Sequence, residues 1–166
     1  PSEITDSQLI MKVLNLIYTK FDSELLYFGS ITKLKMSDNS YVCAAGLFKE
    51  DGLIEKYSID VISLALRLRE VILNGIMINE SKVQLKIGIY TGGPLVCGVV
   101  GRESPSFEVF GKAMNLAAEL EKSALENQIH MSNLTADLIQ SLKLELIERP
   151  NDSSIPGIEE STWILQ

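Results

Sequence analysis

The chain has 166 residues, 46% of them hydrophobic and 22% charged, which supports a folded core and excludes a wholly disordered or collagen-like polymer. Its 22 acidic residues outnumber its 15 basic ones, and the formal charge of −7 argues against general attraction to nucleic acid or to an anionic membrane. No apolar run approaches the roughly 18 residues a membrane span needs, and nothing at the start reads as a signal peptide.

The elements follow in order. Leu9, Ile10, Val13, Leu14, Ile17, Phe21 and Leu25 recur at three- and four-residue spacing and predict a helix, with Thr5-Asp6-Ser7-Gln8 as a capping box and Gly29 as its stop. Residues 31–36 and 41–48 predict two strands joined through Ser37-Asp38-Asn39-Ser40, because Asp and Asn tolerate the positive φ of tight turns. A helix is predicted over 57–73, where Val61, Ala65, Leu68 and Ile72 share a face. Leu85, Ile87 and Ile89 alternate with polar or small residues and predict a strand over 83–91. Gly92-Gly93-Pro94 breaks it, and a second strand over 95–100 suggests a hairpin.

A polar loop over 101–106 leads to a short extended run, 107–110, and Gly111 precedes a helix carrying Ala113, Ala117, Leu120 and Ala124 on one side. A strand over 129–131, a helix over 134–142 capped by Ser132, and strands over 144–148 and 162–165 complete the prediction. There is no internal repeat and no linker, so one domain over 1–166 is expected. Helices alternate with hairpins rather than with single strands, which favours an α+β sandwich, an antiparallel-rich sheet with helices packed on it, over a doubly wound parallel sheet.

Chemistry concentrates in one stretch. The segment LKIGIYTGGPLVCGVVGRESPSFEVFGKAMNLAAELEKSA, from Leu85 to Ala124, is followed by IHMSNLTADLI, preceded by FDSELLYFG and LKMSDNSYVCAAGL, and the chain closes on STWIL. This ordered set resembles the catalytic domain of class III nucleotide cyclases, the adenylate and guanylate cyclases, over nearly the whole chain. The resemblance implies a ferredoxin-like α/β sandwich. It also implies a reaction in which a ribose 3′-hydroxyl closes onto the α-phosphate of ATP or GTP and expels pyrophosphate. Such chemistry needs two Mg²⁺ ions on two carboxylates, a cation facing the transferring phosphate, and groups that hold base and ribose in line.

Matched residue by residue, the resemblance is uneven. The family's first metal carboxylate lies on a strand ahead of the first helix, and Pro1 stands directly before that helix here. The second falls at Asn39, a poor magnesium ligand beside a carboxylate, and Asp38 is a weak substitute one place away because a one-residue slip reverses the face of a strand. Lys35 stands where adenylate cyclases carry the lysine of their base-reading pair and Glu108 where they carry an aspartate, guanylate cyclases using a different pair, and Asn115 matches the ribose-orienting asparagine. Taken singly, Lys35 also reads as a solvated strand lysine, Glu108 as a surface carboxylate, and Asn115 as a helix-packing or capping residue. Glu119, four residues on from Asn115, stands where the family has the arginine that stabilises the transition state, and it reverses the sign of that charge. No lysine occurs near Ile155-Pro156-Gly157-Ile158, where the family places a late phosphate ligand; Lys112 and Lys122 read as solvent-facing helix residues.

Other candidates read as structural. Cys43 and Cys97 lie in apolar runs, imply no disulfide framework and suit a reducing compartment, so a cytoplasmic location is expected, either free or as the cytosolic part of a larger, membrane-attached protein. His130, the single histidine, leaves little material for a histidine metal site or a Ser-His-Asp triad.

Three readings follow. The first is a degenerate cyclase domain that dimerises, as a homodimer or with another cyclase domain, and regulates or completes its partner. The second is a working half of a heterodimer, with Mg²⁺ or Mn²⁺ held by the partner's carboxylates. The third is an interaction module without nucleotide. Lys35, Glu108 and Asn115 favour the first two over the third, and Asn39 and Glu119 favour the first over the second. The family's first strand is central to its sheet, so either residues precede Pro1 in the full protein or the sheet pairs differently.

Overall fold

Helix α1 (Asp6–Leu25) forms where the apolar stripe predicts it, with Val13, Ile17 and Phe21, four residues apart, turned inward. It belongs to a computed structural model that describes residues 6–37, 39–48, 52–78, 80–151 and 154–166, with the backbone alone at 35–37. Thr5 of the expected capping box lies outside the described residues. The helix stops four residues before Gly29, and the amides of Tyr27 and Phe28 turn back onto the carbonyls of Glu24 and Leu25.

The chain divides into two compact units, Pro1–Leu85 and Lys86–Gln166. In the first, β1 (Ile31–Ser37) and β2 (Ser40–Ala45) form the expected antiparallel hairpin, with a shift in register between Lys33 and Met36. That shift is a bulge: Leu34 and Lys35 stand against the single residue Val42. Helix α2 (Ile54–Leu73) begins three residues ahead of its predicted start, since periodicity senses only the buried face. Leu64, Leu68 and Ile72 of α2 pack with Val13, Ile17, Phe21 and Ile31 to make this unit's core. A small hairpin, β3 (Met77–Ile78) with β4 (Ser81–Lys82), follows and has no counterpart in the sequence reading.

The second unit is built on a four-stranded sheet. Its members are β5 (Ile87–Ile89), β8 (Ile129–Ser132), β9 (Ile147–Arg149) and β10 (Thr162–Leu165), in the order β5-β8-β10-β9. The β5–β8 pair is parallel and the others are antiparallel. A separate ribbon pairs β6 (Val96–Val100) with β7 (Ser106–Phe110).

The hairpin expected between 83–91 and 95–100 is therefore corrected. Ile87 and Ile89 lie in register with Ile129 and Met131, which are fully buried, while β6 turns to β7. Period-2 alternation shows which face is apolar, not which strand is the neighbour. Val83 and Leu85 leave the strand altogether and pack on the first unit's core. Helix α3 (Lys112–Ser123) lies against β5 and β8, burying Ala113, Leu116 and Leu120. Gly88 makes this approach possible, since a Cβ there would run into the Ala117 carbonyl and the Glu121 backbone. Helix α4 (Asn133–Leu138) and a 3₁₀ turn (Gln140–Leu142) share the stretch predicted as one helix. The architecture is α+β.

Candidate functional site

In the first unit, the hairpin carries Lys35 and Asn39, both singled out from sequence. Lys35 falls in the β1 bulge, and Asn39 is exposed in the turn that leads to β2. Asp38 lies outside the described residues. Below the turn is a cluster that sequence reasoning missed. The Lys33 ammonium donates to both oxygens of Asp22, at 2.8 and 2.9 Å, and the Tyr41 hydroxyl donates to Asp22 Oδ1 at 2.7 Å. Phe21 meets the Tyr41 ring edge-on at 5.3 Å, and Lys33 stands 5.3 Å from the centre of that ring.

Burial alone would raise the Asp22 carboxyl, but the hydrogen bonds from Lys33 and Tyr41 outweigh it and hold it below the usual range. Burial and then the Asp22 carboxylate push the Tyr41 phenol well up, and burial pushes the Cys43 thiol up to about 12. Cys43 packs against this unit's core. A signal was available in Lys33 and Tyr41, polar groups on strands facing a helix that carries Asp22, but their meeting is long-range.

The second unit holds the other candidates. Glu108, half-buried on β7, lies opposite Gly98 of β6 and accepts a 2.9 Å hydrogen bond from Ser106 Oγ. Gly111 makes the turn into α3 against the Pro94 carbonyl, which a Cβ would approach to 2.5 Å. Asn115 is exposed on α3, and Glu119 is one turn further along. The Lys122 ammonium donates to Glu119 Oε1 at 2.6 Å, with the Lys122 side chain 65% exposed and that of Glu119 28% exposed. This bond, and then the Glu119 and Glu121 charges, raise the lysine above its ordinary range.

His130 is fully buried. Its Nδ1 lies 2.9 Å from Ser123 Oγ and its Nε2 2.7 Å from Thr162 Oγ1, which tie α3 and β10 to β8. Burial, then the Arg149 charge, lowers it below the usual histidine range. Ser132 heads α4 as expected but makes no cap bond; its hydroxyl meets Thr135 Oγ1 and accepts from the Thr91 amide.

The ribbon of β6 and β7 is apolar on both faces. Val96 pairs with Phe110 and Val99 with Phe107, three positions apart and so on opposite sides, and all four are exposed. Among the described residues, no three His, Cys, Asp or Glu side chains converge where they could hold a metal ion. Asn39, matched from the sequence to a metal position of the family, carries an amide rather than a carboxylate. No helix among the described residues is long and apolar enough to cross a membrane.

Comparison with known proteins covers the same ground. The family model described as adenylate and guanylate cyclase catalytic domain matches residues 2–166. Retinal guanylyl cyclase 2 of Bos taurus is 29% identical over 167 residues, spanning 94% of this chain and 14% of that protein. The chain therefore corresponds to a small fraction of the length of the curated relatives it matches. The guanylate cyclase domain of RhGC from Catenaria anguillulae, solved in complex with GTP, superposes with a TM-score of 0.83 at 20% identity, over 99% of this chain and 87% of that one. The adenylyl cyclase CyaB from P. aeruginosa gives 0.75 at 19% identity, over 96% and 81%.

Proposed function

The chain belongs to the adenylate and guanylate cyclase catalytic domain family, and from that premise we propose that it binds a purine nucleoside triphosphate without cyclising it at its own site. Lys35, Glu108 and Asn115 are the nucleotide contacts in this reading. A lysine donor and a carboxylate acceptor suit the ring nitrogen and exocyclic amine of adenine, so ATP is favoured over GTP.

The observation that carries the reading is the outer face of α3. One turn beyond Asn115 it presents a carboxylate, Glu119, which forms a net-neutral pair with the Lys122 ammonium. A transferring phosphoryl group gathers negative charge, and a net-neutral pair stabilises it far less than a free guanidinium does. Asn39 removes a second requirement, since an amide neither neutralises a divalent ion nor competes with water for it as a carboxylate does.

The exposed ribbon supports a dimer. A two-stranded ribbon is marginal alone, and one that exposes Val96, Val99, Val100, Phe107 and Phe110 gains by being covered. In this reading the domain works as half of a homodimer or of a pair with another cyclase domain, and acts by completing or regulating that partner.

Calorimetric titration with ATP and with GTP, each with and without Mg²⁺, tests the proposal. Metal-independent binding that favours ATP is the expected result. Absence of binding to either nucleotide would leave an interaction module, and strictly metal-dependent binding would show that carboxylates of this chain seat the ion after all.

A further inference from the structure

Three side chains on the outer face of α3 form one row. At 3.6 residues per turn, positions 119 and 122 fall within about 40° of position 115, and Lys122 lies about 10 Å beyond Asn115 along the axis. Side chains of a helix lean toward its N-terminus. The 2.6 Å bond to Glu119 Oε1 records that lean, because it draws the Lys122 ammonium back one turn toward Asn115.

An ammonium has three donors. Among the described residues, Glu119 is the one side chain that accepts a hydrogen bond from it, and the Lys122 side chain remains 65% exposed. Exposed ion pairs of this kind are weakly held and exchange partners readily. A polyphosphate, with several charges, competes well against one carboxylate for the same cation. Lys112, at the first position of the same helix, is exposed, and no partner among the described residues aims it along the row.

We propose that Lys122 is the phosphate-binding cation of this chain, and that Glu119 is a built-in competitor that holds the ammonium in place and yields it when a nucleotide arrives. The assignment rests on the nucleotide-binding reading above. It gives a contact made in the bound ground state, which adds affinity rather than rate.

The test is calorimetric titration of the whole chain with ATP and, separately, with adenosine, for wild type, Lys122→Met and Glu119→Gln. Lys122→Met weakens ATP binding about tenfold, the loss of one charge-assisted hydrogen bond, and leaves adenosine binding unchanged. Glu119→Gln removes the competitor and tightens ATP binding a few-fold, the opposite sign, so misfolding cannot imitate both results. If wild type binds ATP and Lys122→Met binds it equally well, or loses ATP and adenosine to the same degree, this inference falls while the nucleotide-binding reading stands. If wild type binds no ATP, both fall.

Discussion

Two lysine–carboxylate pairs of similar length do different work in the two units. Lys33 and Asp22, 2.8 Å apart, are tied three ways: the carboxylate takes two bonds from the lysine and one from Tyr41, and aromatic rings pack around them. Lys122 and Glu119, 2.6 Å apart, share one bond on an exposed helix face. The shorter pair is the looser one. Distance alone says little about what an ion pair contributes; the number of other groups that lose a partner when it breaks says more.

The largest effect should come from the packing that holds the α3 row in place. Gly88→Ala drives a methyl group into α3 backbone that cannot give way, and should cost about 3 kcal/mol in urea unfolding. An unchanged midpoint would show that α3 is not seated on β5 as described, and the alignment of Asn115, Glu119 and Lys122 would lose its support.

Next in size, Asp22→Ala leaves Lys33 and Tyr41 without their acceptor. It should cost about 1–2 kcal/mol, kept at that level because the carboxylate is half exposed. Glu119→Ala should leave the midpoint where it is. Equal losses from the two variants would erase the contrast between the pairs.

A smaller effect is expected from His130. Its folded-state value lies below its unfolded one, so on acidification the unfolded chain takes up the proton first. The stabilisation from keeping the ring neutral is complete above the unfolded value, near 6.5, and is lost as pH falls from there through the folded value. Thermal melts from pH 7.5 down to 5.5 should show a falling Tm in wild type and a flatter profile in His130→Gln. Identical profiles would mean that the ring between Ser123 and Thr162 does not sense its burial.

Much of this was readable from the chain alone. The stripe Val13, Ile17, Phe21 announced a helix because local period reports the buried face, and the run Ile129-His130-Met131 announced a strand. Partner choice was not legible: β5 pairs with β8, forty residues on, rather than with its neighbour in sequence, and only the steric demand at Gly88 hints at the helix above it. The same holds at the site. Glu119 and Asn39 were read from the sequence as departures from the family's pattern, whereas the Asp22 cluster and the direction of the Lys122 side chain are properties of the folded backbone.

The central claim concerns binding without turnover, and product release tests it most directly. The wild-type chain, incubated with ATP or GTP and Mg²⁺ or Mn²⁺ at concentrations where calorimetry shows nucleotide bound, should release neither pyrophosphate nor cyclic nucleotide above the buffer control. Cyclic nucleotide that accumulates beyond one equivalent of protein, in proportion to protein added, would contradict the account.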